Sequence, residues 1–273
     1  MTSDAEPRRR FEGCVVLVTG GTSGIGAAAA TQFAAEGAHV VITGRNEERG
    51  SEVESSHDNI QFRQVDVTDR PAIDALIETI ETTFGRLDVV VNSAGVVNAR
   101  PFASMSTRHW QEMIDTNLTG AFHVSQAALP LLRTTVAKGT SATTSIVNLS
   151  SLNALRVDPG MSAYGSAKAA LIALTEGMAV ELIESGVRVN CVSPGAIDTP
   201  MSASTAGDEE NSHAFTSAIP AGRYGTAEEV AAVILFVASR EAEFMVGANL
   251  VIDGGATLPS RHPDLLNMFN MET

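Results

Sequence analysis

Apolar and β-branched residues gather in seven short runs along the chain: CVVLVT (14–19), HVVIT (39–43), IQFRQVDV (60–67), LDVVVN (87–92), TSIVNLS (144–150), VRVNCVS (187–193) and NLVID (249–253). Near-continuous Val and Ile, without polar alternation, mark strands buried on both faces. Between the runs, helical spacing appears over 24–36, 70–84, 107–137, 162–185 and 226–239. This alternation predicts repeated βαβ units: an α/β fold with a doubly wound parallel sheet of about seven strands and helices on both faces. No fixed-period repeat interrupts the pattern. One connection is long, 199–225, small and polar with Gly and Pro punctuation. Connections of that length in a compact domain are usually either functional lids or disordered segments.

The first run opens into TGGTSGIG (19–26). A strand that ends in glycines and continues as a helix builds an anion site, because the backbone can approach a pyrophosphate and the free N–H groups at the helix start face it. Gly20, Gly24 and Gly26 are spaced unlike the common G-x-G-x-x-G fingerprint, and no Walker lysine follows. The second run ends in Gly44-Arg45, where a ribose-binding carboxylate would stand in an NAD-specific fold. With no carboxylate there, Arg45 can hold a 2′-phosphate or remain an ordinary exposed side chain. The expectation is therefore NADP(H) in preference to NAD(H). Asp66 and Val67 end the third run, where a carboxylate can accept from an adenine amino group. Asn92, Ala94 and Gly95 in NSAG end the fourth and offer backbone groups to the adenosine.

The chemistry concentrates in SAYGSAKAA (162–170). One of only two tyrosines, Tyr164, precedes Lys168 by four residues, so both share a helix face. A neighbouring ammonium favours phenolate and should lower the tyrosine's pKa toward neutrality, making it a usable acid or base.

Read together and in order, TGGTSGIG, DVTD, NSAG, the asparagine of DTNLTG, NLSS, YGSAK and SPG resemble the short-chain dehydrogenase/reductase family over roughly residues 12–256. The resemblance implies a catalytic set of Asn117, Ser151, Tyr164 and Lys168. Tyr164 would exchange the proton, and Ser151, rather than Ser150, would bind the substrate oxygen. Lys168 would lower the tyrosine's pKa and hold the nicotinamide ribose. Asn117 would hold a relay water. It also implies that Thr22, Ser23 and Ile25 line the pyrophosphate loop, and that Pro194, Gly195, Ile197 and Thr199 grip the nicotinamide end. Taken alone, Asn117 could be a helix-bending side chain, Ser151 a strand-end cap and Lys168 a solvated cation; their joint spacing argues otherwise.

Composition narrows partners. A net charge of −14 disfavours nucleic acid and anionic membranes, which need a positive patch. No apolar run is long enough for a membrane span. Two distant cysteines and six scattered histidines form no metal-ligand spacing, and unpaired cysteines fit a reducing, cytoplasmic setting. PRRRFEGCVVLV could be an export signal, but its apolar run is short, and it reads instead as a basic tail, 1–11, before a buried strand. Residues 257–273, with LLNMF at 265–269, form an extension. The substrate expected is a small ketone or secondary alcohol, selected by 152–163 and the 199–225 loop. Met161 and Met201 would serve as apolar wall, and Arg156 and Asp158 as polar contacts or solvent-exposed groups. The alternative is a 3-oxoacyl-carrier-protein reductase, disfavoured by the acidic tip Asp208, Glu209 and Glu210. A non-catalytic nucleotide-binding regulator and a lyase or epimerase are the rivals from other classes. Long Ala- and Leu-rich helices, by the same resemblance, imply a homotetramer, with a dimer as second choice.

Overall fold

The computed structural model describes residues 9–139, 143–202 and 209–258. Seven parallel strands form one sheet: β1 (Val15–Thr19), β2 (His39–Gly44), β3 (Ile60–Gln64), β4 (Val89–Asn92), β5 (Ser145–Leu149), β6 (Arg188–Pro194) and β9 (Asn249–Ile252). Their spatial order is β3-β2-β1-β4-β5-β6-β9. Strand order reverses between β1 and β4, so a crevice opens at the carboxyl edge between them. A small second sheet pairs β7 (Ile197–Asp198) with β8 (Gly225–Thr226).

Strand alternation explains the two-sided core. Val16 and Val18 of β1 join Val40, Ile42, Val89, Val91, Val147 and Val192 on one face. There they meet Phe33 of α1 (Gly24–Ala35) and Val230 and Ile234 of α8 (Ala227–Ala238). Val15 and Leu17 point the other way and pack with Val41, Val90, Ile146 and Val189. That face is covered by α3 (Arg70–Phe84), α5 (Gly120–Ala137) and α6 (Ser162–Leu182). Period-two burial on both faces is why these strands read as unbroken apolar runs.

The architecture matches the expected Rossmann-type fold, with local differences. Helix α2 (Glu47–Ser55) escaped the periodicity because it is short and polar; it forms through the Asn46 side chain, which accepts from Arg49 N, and Glu47 and Glu48 in its first turn. The expected single helix 107–137 is α4 (Thr107–Ile114), a π turn at Asp115–Thr119, and α5. The 199–225 connection is not all loop: it holds α7 (Glu209–Ser217) and is tied down at both ends by the β7–β8 pair. The third strand stops at Gln64, short of Asp66 and Val67.

At the amino end, Arg10 and Phe11 belong to the body rather than to a tail. Arg10 makes two 2.6 Å hydrogen bonds to Glu36, and Phe11 is fully buried edge-on against Phe33. The LLNMF segment and Asp208 of the acidic loop tip lie outside the described residues.

Arg188 opens β6 inside the core. Its guanidinium donates to the carbonyls of Val237, Ala238, Ser239 and Ala242 and to Thr143 Oγ1, at 2.9–3.0 Å. A cation at the carboxyl end of α8 complements the helix dipole and satisfies its terminal carbonyls. Arg188→Met should lower unfolding stability by about 3 kcal/mol or more, by leaving several buried acceptors unpaired. Urea unfolding of both proteins measures this; a loss below about 1 kcal/mol would contradict the capping role.

Candidate active site

The carboxyl ends of β1, β4, β5 and β6 deliver the site. β1 runs into Gly20, at φ +66°, and a Cβ there would come 2.7 Å from Ala94 Cα. Only glycine lets the loop lie this close to the end of β4. A Cβ on Gly26 would likewise run into the Gly20 carbonyl, so the first turn of α1 folds directly over the loop. Ser23 caps α1 with extended backbone, yet its side chain makes no capping bond and no acidic residue occupies the first turn. A twelve-residue helix whose start is free of carboxylates and approached by a glycine cradle fits a dinucleotide pyrophosphate. Gly24 lies against Thr199, at 3.3 Å from a Cβ position, which brings the segment after β7 beside the loop. Ile25 is partly buried against the core.

The second strand explains the missing carboxylate. The Thr22 side chain packs on Gly44 so closely that a Cβ at 44 would lie 2.6 Å from it. No acidic side chain fits that position without moving Thr22. Arg45 beside it is 66% exposed, and its guanidinium lies 3.9 Å from the Asp66 carboxylate. Asp66 also accepts from the Thr68 backbone and hydroxyl. Val67 is buried and packs on Gly120, and Asn92 is 3% exposed with its amide turned into the core. Ile197 is buried against Gly225. The side chains of all three are thus buried in the body of the protein. Pro194 pairs with Ile252, and Gly195 is pressed against Asp253, where a Cβ would come within 2.8 Å of the Asp253 Cα.

Three consecutive residues past the middle of β5 organise the chemistry. The Leu149 carbonyl accepts a 2.8 Å hydrogen bond from Lys168 Nζ. The Ser150 hydroxyl donates to the Lys168 carbonyl at 2.9 Å, burying Ser150 and leaving Ser151 to face the crevice. Ser151 Oγ accepts from Asn153 N and neighbours the Tyr164 phenol, whose ionised form its hydroxyl favours. Asn117 sits in the π turn, 1% exposed. Its Oδ1 accepts from Val96 N, and its Nδ2 donates to Val96 O and Met113 O. A Cβ on Gly95 would lie 2.8 Å from Asn117 Oδ1 and 3.6 Å from Lys168 Nζ, so these three residues meet at one point.

The electrostatics depart from expectation. Burial raises the Tyr164 phenol above its ordinary value, opposed only by Ser151. Lys168 exerts no such pull here: its amine lies 5.8 Å from the centre of the tyrosine ring and bonds to a carbonyl. Burial also brings the Lys168 ammonium down to about 8, with Cys191 opposing. Sequence reasoning missed the Leu149 carbonyl and the Val96 backbone, since backbone partners leave no residue signature. Among the described residues no helix is long and apolar enough to cross a membrane, and no group of His, Cys, Asp or Glu could hold a metal ion.

Comparison with known proteins places this geometry. A family model described as enoyl-(acyl carrier protein) reductase matches residues 20–257. The 3-oxoacyl-(acyl-carrier-protein) reductase FabG of Thermotoga maritima is 37% identical over 253 residues, covering 91% of this chain and 100% of the relative. The 3beta-hydroxysteroid dehydrogenase 1 of Eggerthella lenta is 36% identical, over 91% of this chain and 95% of its own. The NADP-dependent (R)-specific alcohol dehydrogenase of Lentilactobacillus kefiri is 36% identical, over 91% and 98%.

The Lys168 ammonium makes stability depend on pH. Below about pH 8 the folded and unfolded chains both carry the proton, and the burial cost is fully present. Between about 8 and the ordinary 10.5 the folded chain releases it first, so the unfolded state binds more protons and stability rises with pH. Over that interval wild type should gain about 3 kcal/mol relative to Lys168→Met. Urea unfolding of both proteins across that range reads the difference; a pH-independent gap would contradict burial of a protonated amine.

Proposed function

The chain belongs to the short-chain dehydrogenase/reductase family and is an enzyme of it; from that premise we propose that it moves hydride between NADP(H) and a small ketone or secondary alcohol. The observation that carries the reading is the meeting of Ser151, Tyr164 and Lys168 at one sheet edge, beside a glycine cradle open to a pyrophosphate. Bound there, a nicotinamide dinucleotide supplies the hydride donor or acceptor.

This chain's residues do the rest. In reduction, Ser151 donates to the substrate carbonyl oxygen and Tyr164 gives it a proton. In oxidation, the same phenol takes the alcohol's proton. Burial pushes the Tyr164 phenol up, with the Ser151 hydroxyl opposing. Lys168 holds the nicotinamide ribose and, once turned toward the phenol, stabilises its ionised form. Asn117 holds the relay water. Both N–H donors of its side chain are taken by Val96 and Met113, so the side chain can meet the water only as an acceptor.

NADP(H) preference is supported by Thr22 filling the space at Gly44 and by the exposed Arg45 next to it. Thr22, Ser23, Gly24 and Ile25 take the pyrophosphate, Asp66 the adenine, and Pro194, Gly195, Ile197 and Thr199 the nicotinamide end. A ketone is favoured over a carrier-bound acyl chain by the net charge of −14. A reductase for carrier-bound 3-oxoacyl groups is the second reading, favoured by the FabG relative. The exposed outer strand β9, with Val251 41% accessible, and the fully exposed Phe244 support a homotetramer. Free Cys14 and Cys191 support a reducing cytoplasm.

A panel of ketones and alcohols, followed by absorbance of the reduced nicotinamide, tests the activity. Net turnover is expected; product without net turnover would mean a lyase or epimerase, and binding without either a sensor. In the same assay Arg45→Ala should cut kcat/KM for NADP(H) about tenfold while sparing NAD(H). Equal use of both cofactors, unchanged by the substitution, would refute the preference.

A further inference from the structure

Beneath the catalytic residues runs a chain of buried polar side chains that the reaction does not touch. Asn92 Nδ2 donates to Ser125 Oγ at 2.9 Å and to Asn148 Oδ1 at 2.8 Å. Asn148 Nδ2 donates to Thr175 Oγ1 at 2.8 Å, and Thr175 Oγ1 donates to the Leu171 carbonyl at 2.8 Å. None of the four side chains is more than 3% exposed.

Their positions are not scattered. Asn92 ends β4, just before Ala94 and Gly95. Ser125 lies on α5, eight residues past Asn117. Asn148 lies on β5, three residues before Ser151. Thr175 lies on α6, seven residues past Lys168 and on the same helical face. β4, β5 and α6, and α5 after the Asn117 turn, therefore each lend one side chain to the layer below. With its hydrogen on the Leu171 carbonyl, Thr175 accepts from Asn148 Nδ2, and Asn148 Oδ1 then serves Asn92. The Asn148 amide gives an acceptor to β4 and a donor to α6 at once, and apolar packing alone would let strand and helix slide.

We propose that Ser125, Asn92, Asn148 and Thr175 form a positioning network that sets the spacing of Ser151, Tyr164, Lys168 and Asn117, with Asn148 as its hub. The inference rests on the catalytic assignment above. It makes the catalytic geometry depend on hydrogen bonds two turns of helix away from the reacting atoms.

Thr175 gives a clean test, because two substitutions separate hydrogen bonding from volume. Thr175→Val keeps the shape and loses the hydroxyl; Thr175→Ser keeps the hydroxyl and loses a methyl group. If the network positions the site, Thr175→Val lowers kcat about tenfold or more, with KM for cofactor and ketone within about twofold. Thr175→Ser then stays within about twofold of wild type throughout. Backbone hydrogen exchange in the ligand-free proteins gives a second readout. Amides of 149–153 and 164–168 should exchange about tenfold faster in Thr175→Val, with β2 and β3 unchanged and Thr175→Ser like wild type. The inference is overturned if Thr175→Val retains wild-type kcat, if Thr175→Ser loses as much as Thr175→Val, or if exchange quickens uniformly. Wild-type protein with no nicotinamide-linked turnover would sink the functional reading instead, and the exchange comparison would still decide the coupling.

Discussion

Lys168 is a residue only 4% exposed, and its ammonium group donates to the Leu149 carbonyl. Taking such a charge out of water is expensive, and the cost shows in a pKa brought down to about 8. The surroundings are arranged around that constraint. The strand end that takes the ammonium also returns a hydrogen bond from Ser150 to the lysine's own carbonyl, so β5 and α6 are joined at both ends of one residue. Ser151 follows at once and Tyr164 precedes by one turn. The Ser151 and Tyr164 hydroxyls are thus placed by the same junction that stabilises the cation.

That junction changes the chemical reading. The simplest expectation for a tyrosine and lysine four residues apart is an acidic phenol. In the folded chain burial pushes the Tyr164 phenol up instead, and Lys168 is directed to the Leu149 carbonyl. A protonated phenol beside a serine hydroxyl is ready to donate to a carbonyl oxygen. Removal of a proton from an alcohol needs the amine to turn toward the phenol, or further positive charge in the crevice.

The sheet and most helices were readable from the residues because buried strands of Val and Ile repeat with little else between them. Helix α2 was hidden by its polarity, with only Gly50 buried among its nine residues. The π turn at Asn117 was hidden because nothing in DTNLTG distinguishes it from a regular helical turn; it arises from the Asn117 amide bonding the Met113 and Val96 backbones. That Ser151, Tyr164 and Lys168 come together could be anticipated from their spacing. Residues acting through backbone, such as Leu149 and Val96, could not. Asn148 stood in view as an amide within SIVNL, an otherwise apolar strand interior, and a buried amide in such a run always requires partners.

The central claim is that the Tyr164 hydroxyl is the proton donor and acceptor of the reaction. Steady-state ketone reduction by Tyr164→Phe, at saturating reduced cofactor and with nucleotide affinity measured separately, tests it most directly. The account predicts a fall in kcat of at least a hundredfold with affinity intact. Reduction at close to the wild-type rate would contradict it.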